Sequence, residues 1–400
     1  MKKSSVKYLL WLLALLVLIF IVPNVFNSKE KEAFSDEQRL EEARRITATL
    51  QGDSVTVTPG MYYGRSNTYQ TIFGAKNRDI WMTPVRAKVL DYGSVHGGLV
   101  PIAEGGSQQT ISLKLRDSSG RVWTLRSVNK DQQNALPGYL RHSFLRSLFR
   151  DQAAGLNPFG APVVSSLAKA IQLRATHPEL YWVKYDERYG KYNKRMAGRL
   201  AYLEENLNES WNGSPAFASP LAILDSDSLL EIMKDNKVAI DTGLYLKTRL
   251  FDMLISDWDR HEGQWKWLQY NDGGKPVYKP LGRDRDMAFY IFDDGILNKL
   301  TLVFNPKFQS FREEYASVRG LMWQSEDLDE RFLANQPLNR FIDSAKALQH
   351  TLTPAAIANA FGEYPAPVYQ KLGEKHRQIL SARLQRLQGV AAEFHKLVKN

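Results

Sequence analysis

Four hundred residues with 44% hydrophobic and 24% charged content make an ordinary folded chain, long enough for two domains or for one domain of two lobes. With no cysteine, disulfides, thiolate metal sites, cysteine nucleophiles and lipoprotein-type lipidation are excluded. The formal charge of +10 suits an anionic partner such as a nucleotide, phospholipid headgroups or an acidic polymer, and equally suits simple solubility; no basic-aromatic repeat points to nucleic acid, and none is expected as a partner.

Lys2, Lys3 and Lys7 precede an unbroken apolar run, Tyr8 to Val22. An uncharged stretch of about 19 residues, which this becomes when continued to Phe26, can span a bilayer. The basic flank keeps the N-terminus in the cytoplasm and sends the rest of the chain outside. A cleaved signal peptide is the competing reading. Phe26-Asn27-Ser28 puts a bulky side chain where a cleavage site needs a small one, which favours a retained anchor over residues 1–28. The expected location is therefore the cytoplasmic (inner) membrane, single-pass, with the bulk of the chain on the periplasmic side. Residues 29–60 read as a stalk, charged and helical from Glu30 to Leu50.

From Met61 the chain is rich in Tyr, Gly and Asn, with strand-like alternation at Val85 to Val89. Glu104-Gly105-Gly106-Ser107-Gln108-Gln109 precedes an alternating strand, Thr110 to Arg116; Asp117-Ser118-Ser119-Gly120 turns it, and Val122 to Val128 returns. A glycine pair before a hairpin can bring backbone N–H groups against phosphates, although such glycines often only make turns. Tyr139 to Ala154 has a helical period, with Asp151 near its end, where an acid opposes the helix dipole unless it has a partner. Leu180 to Tyr185 and Gly198 to Leu203 read as strands, the second running into Glu204-Glu205. Asn206 to Pro220 is a linker by its Asn, Ser, Gly and Pro content. The chain thus divides into an anchor (1–28), a stalk (29–60), a β-rich lobe (61–206) and a helical lobe (207–400).

The second lobe opens with a helix, Ser226 to Asn236, capped by Asp225 or Ser226. Next comes the stretch Leu244 to Phe289, LYLKTRLFDMLISDWDRHEGQWKWLQYNDGGKPVYKPLGRDRDMAF. Leu246, Leu250, Met253 and Leu254 return at helical spacing. The pattern stops at Asp257-Trp258-Asp259-Arg260-His261. Strands Gln264–Gln269 and Pro276–Leu281 flank a tight turn, Asn271-Asp272-Gly273-Gly274. This hairpin delivers Arg283, Asp284, Arg285 and Asp286 to the end where the first knot lies. Carboxylates packed so closely repel unless a cation or metal offsets them. Tyr290 to Pro306 reads as a loop and strand, with Asp293-Asp294 as a solvated turn. The rest is helical: Thr353-Pro354 is an N-cap followed by proline at the first helical position, and Leu380, Leu384, Leu387, Ala391 and Phe394 form an apolar seam.

A helix ending in D-R-H, an amide five residues after the Asp, a hairpin and then D-x-D-x-x-F resemble the catalytic core of atypical kinases: the HipA-type toxin kinases, the spore-coat-H-type kinases and the secretory-pathway kinases. From about Tyr62 onward, including LRSVNKD, LFDMLISDWDRHEGQW and GRDRDMAF, the chain also resembles an uncharacterised family of bacterial extracytoplasmic proteins. In some of its members this module sits beside a metallophosphoesterase, which is absent here. The resemblance implies an α+β, two-lobed protein-kinase-like fold that uses ATP and Mg²⁺ to phosphorylate an acceptor, whether protein, glycan or lipid headgroup. It implies Asp259, with His261 beside it, as the catalytic pair; Gln264 with Asp284 or Asp286 as metal ligands; and Gly105-Gly106 as a flap over the phosphates. It places a phosphate-pairing cation at Arg126, with Lys130 and then Lys114 as alternatives, and Asp151 as that cation's partner. It brings Glu204 to the nucleotide at the hinge. Gln264 stands where these families usually carry Asn, and Arg126 where ordinary kinases carry Lys. Two other readings follow from the same residues: a pseudokinase that binds without transferring, and a metal-dependent hydrolase with two metals on Asp257, Asp259, His261, Asp284 and Asp286.

Overall fold

The structure, a computed structural model, describes residues 3–17, 35–106, 111–132, 136–143, 145–206, 220–235 and 238–399. The N-terminal helix α1 (Lys3–Leu16) is exposed along its apolar length. The expected span runs on into residues 18–28, outside the described residues; among those described, no helix is long and apolar enough to cross a membrane.

Residues expected as a stalk are built into the first lobe. Helix α2 (Asp36–Thr49) starts at Ser35, whose hydroxyl accepts from Gln38 N–H, and buries Ala43. Arg39 donates to the carbonyls of Ala197 and Lys194. The strand that follows, β1 (Ser54–Val57), pairs antiparallel with β2 (Val85–Leu90). The charge run on α2 thus marks the solvent face of a packed helix whose small residue goes inward.

Five further strands complete this sheet: β3 (Leu99–Gly105), β4 (Ser112–Asp117), β5 (Val122–Ser127), β6 (Glu179–Val183) and β7 (Leu200–Glu205), in the order β1-β2-β6-β7-β5-β4-β3. Alternation decides its faces. Leu113, Leu115, Leu125 and Leu203 bury one side in a small aliphatic core. Thr124, Arg126 and Val128 on β5, with Tyr202, Glu204 and Asn206 on and after β7, turn the other side toward a cleft. Between the strands lie α3 (Asn67–Phe73), α4 (Arg78–Trp81), α5 (Leu145–Gln152), α6 (Gly160–Ala170) and α7 (Lys191–Met196). The single helix expected over Tyr139–Ala154 is broken: a 3-10 turn at Gly138–His142 precedes α5, because Ser143 closes the turn by donating to the Leu140 carbonyl. The linker expected between the lobes lies almost wholly in residues 207–219, outside the described residues.

In the second lobe a short strand, β8 (Ala222–Leu224), and helix α8 (Ser226–Asp235) precede β9 (Ala239–Ile240) and the central helix α9 (Thr242–Leu254). Asp241 caps α9 by accepting from Leu244 N–H. Strands β10 (Trp265–Asp272) and β11 (Lys275–Gly282) form the expected hairpin, turned by Gly273 and Gly274 at φ +59 and +85, the pair of positive values that a two-residue type I′ turn requires. The stretch expected as loop and strand after Phe289 is instead helix α10 (Ile296–Phe304); its apolar residues recur at helical spacing, and a short apolar run does not by itself distinguish the two periods. The lobe is closed by helices α11 (Val318–Met322), α12 (Glu326–Leu333), α13 (Leu338–Thr351), α14 (Pro354–Phe361) and α15 (Glu374–Leu397), with a short turn of helix at Ala366–Val368. Thr353 caps α14 as expected, and the α15 seam is buried at all five positions, its three leucines and Phe394 each contributing about 1.5–3 kcal/mol.

Helix α6 packs on α14, and a buried hydrogen bond crosses between the lobes, flanked by one within each lobe. Asn157 donates to the Tyr364 hydroxyl at 2.8 Å, Tyr364 contacts His376 Nδ1 at 2.9 Å, and Tyr202 donates to the Pro158 carbonyl at 3.0 Å. Burial pushes His376 down to about 3, so its imidazole is neutral near neutral pH.

Candidate active site

The cleft lies between the inner face of β5 and β7, helix α6, and the residues following β11. Three backbone features place its acids. Ser256, at φ +58, takes the chain out of α9 in the left-handed conformation and starts the Asp257–His261 knot. The register Trp265↔Gly282 ends the hairpin, and Arg283 N–H then donates to the Gln264 carbonyl at 2.8 Å, so the amide position and the acids lie side by side. Gly282 has no room for a side chain, since a Cβ there would meet Arg285 Nη2 at 2.6 Å. Asp284 is itself left-handed at φ +53, a conformation Asp tolerates better than most residues. That turn sends Asp284 and Asp286 to the cleft and Arg285 the other way.

Arg126 crosses the cleft to Asp284 at 2.5 Å and to Glu204 at 3.2 Å. Lys130 pairs with Asp286. Two cations from the first lobe thus face two carboxylates from the second, with Glu204 completing the set. Burial tends to raise the Asp284 carboxyl, but Arg126 and Lys130 beside it hold it well below the usual carboxylate range. The Lys130 ammonium is pushed down by burial; Asp284, Asp259 and Asp257 all lie close enough to oppose that shift. Burial likewise works against the Arg126 guanidinium, and Asp284 and Glu204 more than compensate, keeping it charged. Among the described residues, two buried polar atoms in the cleft have no hydrogen-bond partner: Arg126 Nε, a donor, and Asn206 Oδ1, an acceptor. Asn206 is held in place by donating to Thr124 Oγ1 at 2.7 Å.

Asp259 is half-buried beside this set rather than in its lining, and accepts a long contact of 3.5 Å from Gln324 Nε2. Lys307 also flanks it: the ammonium sits 5.2 Å over the Trp258 ring and, lowered by burial, is held up by the charge of Asp259. Neither Gln324 nor Lys307 was singled out in the sequence, where no spacing ties them to the knot. His261 is exposed, and its Nδ1 accepts from Gly263 N–H at 3.1 Å as the cap of a 3-10 turn, which gives it a local structural task.

Beneath the cleft lies a second set of charges with no exposure. Arg249 holds Asp329 at 2.8 Å, Arg260 holds Asp257 at 2.9 Å, and Asp252 receives Arg285 at 2.7 Å. Arg260 Nη2 also donates to the carbonyls of Arg283 (2.6 Å) and Asp284 (2.9 Å), fixing the backbone that carries the cleft acids. Burial raises the Asp257 carboxyl, with Arg260 opposing.

The expected partnership between Asp151 and the β5 cation does not form. Asp151 is buried with Arg78 in a bidentate pair at 2.7 and 2.6 Å, with Lys76 and Arg65 each at 3.6 Å. It is the partner of a cation on α4, which reaches it before any residue of β5 can. The five-residue dinuclear set does not assemble either, because Asp257 is sealed against Arg260 and His261 faces solvent; among the described residues no three His, Cys, Asp or Glu side chains group to hold a metal ion. Asp293, expected in a solvated turn, is buried, accepting from Ser310 and from Arg312. Gly105 and Gly106 stand at the end of β3, where the Gly105 carbonyl accepts from Arg195 at 2.6 Å. Neither lines the cleft; the rest of the expected flap, Ser107–Thr110, lies outside the described residues. Lys114, the third cation considered, is also absent from the lining.

No family model matches the sequence, and no curated protein matches it. Among solved structures the chain is similar to a Helicobacter pylori proinflammatory kinase, CtkA, with 12% identity over 74% of this chain and 96% of that one and a TM-score of 0.40.

Proposed function

We propose that the chain is a Mg²⁺–ATP-dependent phosphotransferase acting on an acceptor that its cleft does not identify. The observation that carries this reading is the crossed pairing of Arg126 and Lys130 with Asp284 and Asp286. Paired in this way, the cleft matches a ligand that itself carries both signs of charge. Phosphate oxygens would take over the two cations, and a divalent cation the two carboxylates. Magnesium fits the donor set, since it is usually held by one or two carboxylates together with substrate phosphates and not by an all-protein cage. Asp284 and Asp286 would hold it, with the Gln264 amide as the adjoining oxygen, and it would neutralise charge developing on the phosphoryl group. Asn206 Oδ1, which has no partner among the described residues, would supply an acceptor for an amino group in the cleft. Asp259, beside but outside this charge set, is the group that would orient an acceptor hydroxyl and take its proton.

Calorimetric titration with ATP, with and without Mg²⁺, tests the reading. Expected is binding that depends on the metal and disappears when Asp284 and Asp286 are both changed to Asn. Metal-independent binding, or none, would remove it. Binding without any turnover would instead favour the pseudokinase reading, which the glutamine at 264 motivates. We also propose that residues 1–28 anchor the chain in the cytoplasmic membrane with the two lobes outside, on the strength of Lys2, Lys3 and Lys7 ahead of the apolar run. A C-terminal reporter active only in the cytoplasm should then stay silent.

A further inference from the structure

Helix α10 is fixed on its inner side and bare on its outer side. Asn298 is buried and donates to the carbonyls of Phe73 and Phe292, each at 2.8 Å. At Gly295, just before the helix, any Cβ would collide with the backbone of Phe73 and Gly74. The helix is thereby seated against α3 in one orientation. Its other face carries Ile296, Leu297, Leu300, Val303 and Phe304, at one-, four- and three-residue steps; Val303 is 76% and Phe304 82% exposed. Ile72 of α3 adds to the same apolar area. A contiguous apolar patch held rigidly in water marks an interaction surface.

The charges around the patch indicate what it meets. Residues 295–312 contain no acid and carry Lys299, Lys307 and Arg312; residues 61–78, which include α3, contain no acid either. Lys299 is exposed on the helix, and Arg312 is more than half exposed while engaging Asp293. The acids flanking the helix are Asp293, buried against Ser310 and Arg312, Asp294, which accepts from the Lys76 N–H at 2.5 Å, and the exposed Glu313 and Glu314 after Arg312. An apolar helical face bordered by cations and free of acids has the composition of a helix lying in the interface of an anionic bilayer. The same combination recurs at α1, where Lys2, Lys3 and Lys7 accompany an exposed apolar face.

We infer that α10 is an interfacial helix whose outer face, with Ile72, rests in the headgroup region of an anionic membrane. Lys307, on the turn directly after α10, sits against Trp258 and feels the charge of Asp259, so the docked helix would hold the edge of the candidate active site next to the lipid surface. The inference does not depend on the phosphotransferase reading, since it rests on exposure and charge alone.

The absence of cysteine makes a site-directed test simple. The full chain carrying Phe304→Cys, labelled with an environment-sensitive dye, is incorporated into vesicles of phosphatidylcholine and phosphatidylglycerol doped with a spin-labelled lipid that quenches at headgroup depth. A matched chain labelled at Asp272→Cys, on the exposed tip of the β10–β11 hairpin, is the control. Expected is quenching at 304 well above that at 272, reduced to the control level by Leu300→Glu with Val303→Glu, and weakened when phosphatidylcholine alone is used. Circular dichroism of the double variant checks that it folds; should it not, Leu300→Glu alone serves. A 304 probe that stays in water overturns the inference. So does one shielded equally in detergent, which would mean that protein, such as a second copy, covers the face. Equal quenching at 304 and 272 overturns it as well, as undirected adhesion.

Discussion

Two sets of charges interleave at residues 257–260 and 284–286 and differ in their access to water. In the cleft, the side chains of Arg126, Glu204, Asp284 and Asp286 are 20%, 22%, 28% and 25% exposed, and that of Lys130 is 8% exposed. Below it, Arg249, Asp252, Asp257, Arg260 and Asp329 are at 0%. The two sets alternate along the chain: Asp257 goes down while Asp259 stays at the cleft's edge, and Arg285 goes down between Asp284 and Asp286. An ion pair near solvent can exchange its partner for a ligand, because water shares the cost of separating the charges. A pair fully out of water cannot, because each member left alone carries a heavy desolvation penalty. The lower set fixes the backbone, and the upper set is available for chemistry.

The sharpest test of that division is to break the lower set. Arg249→Met leaves Asp329 buried without its guanidinium and should cost about 3–5 kcal/mol of stability, read as a large fall in the denaturant midpoint; adding Asp329→Leu should recover part of it. A midpoint near that of the parent would show that water reaches the network and that the contrast is weaker than drawn.

Next in size is Asp259→Asn. The change keeps the shape and removes basicity, so phosphotransfer should fall on the order of 10²-fold or more while Mg²⁺–nucleotide affinity stays near that of the parent. Normal turnover would end the assignment of Asp259.

Arg126→Ala should leave the fold intact and weaken nucleotide binding by about 10- to 100-fold, the range expected when one charged hydrogen-bonding group is lost. Unchanged affinity in a folded variant would pass the role to Lys130.

The smallest effect concerns the third group of charges, around Asp151. Burial pushes the Lys76 ammonium down to about 8, below its unfolded value of about 10.4. Between those values the unfolded chain binds more protons, so this residue makes the folded state gain stability as pH rises through the window. Lys76→Met should flatten that slope, as measured by denaturant titration at the two ends of the window. An identical slope would mean that Lys76 is solvated in the native state.

Much of the second lobe could be read from its pattern. The helix period ending at Leu254, the two glycines at 273 and 274, and the alternation around Trp265 and Trp267 are local signals, and each produced the expected element. Facing was harder to read. Whether Asp257 or Asp259 reaches the cleft turns on the left-handed Ser256, which no composition rule marks. The partner of Asp151 lies 73 residues away on α4, and with so many arginines in the first lobe only the folded arrangement selects one. Helix α10 was misread because its short apolar runs, Ile296-Leu297 and Leu302-Val303-Phe304, suit either period. Helix α2 was misread because its charges conceal the one small residue, Ala43, that it buries.

Arg383 carries a consequence for how the protein is made. From α15 its guanidinium donates to the carbonyls of Met253 and Leu254 at 2.7 and 2.8 Å and to that of Arg312, while lying 3.6 Å over the Tyr315 ring. The groups it grips are the last carbonyls of α9, those shortly before the Asp257–His261 knot, 130 residues earlier. A ribosome elongating at about 5–20 residues per second finishes the knot and the hairpin well before it supplies this arginine. Until then the end of α9 lacks this clamp on its last carbonyls. A nascent chain stalled or cut before residue 383 would therefore present the cleft's residues without this clamp, so that maturation of the site waits on helix α15.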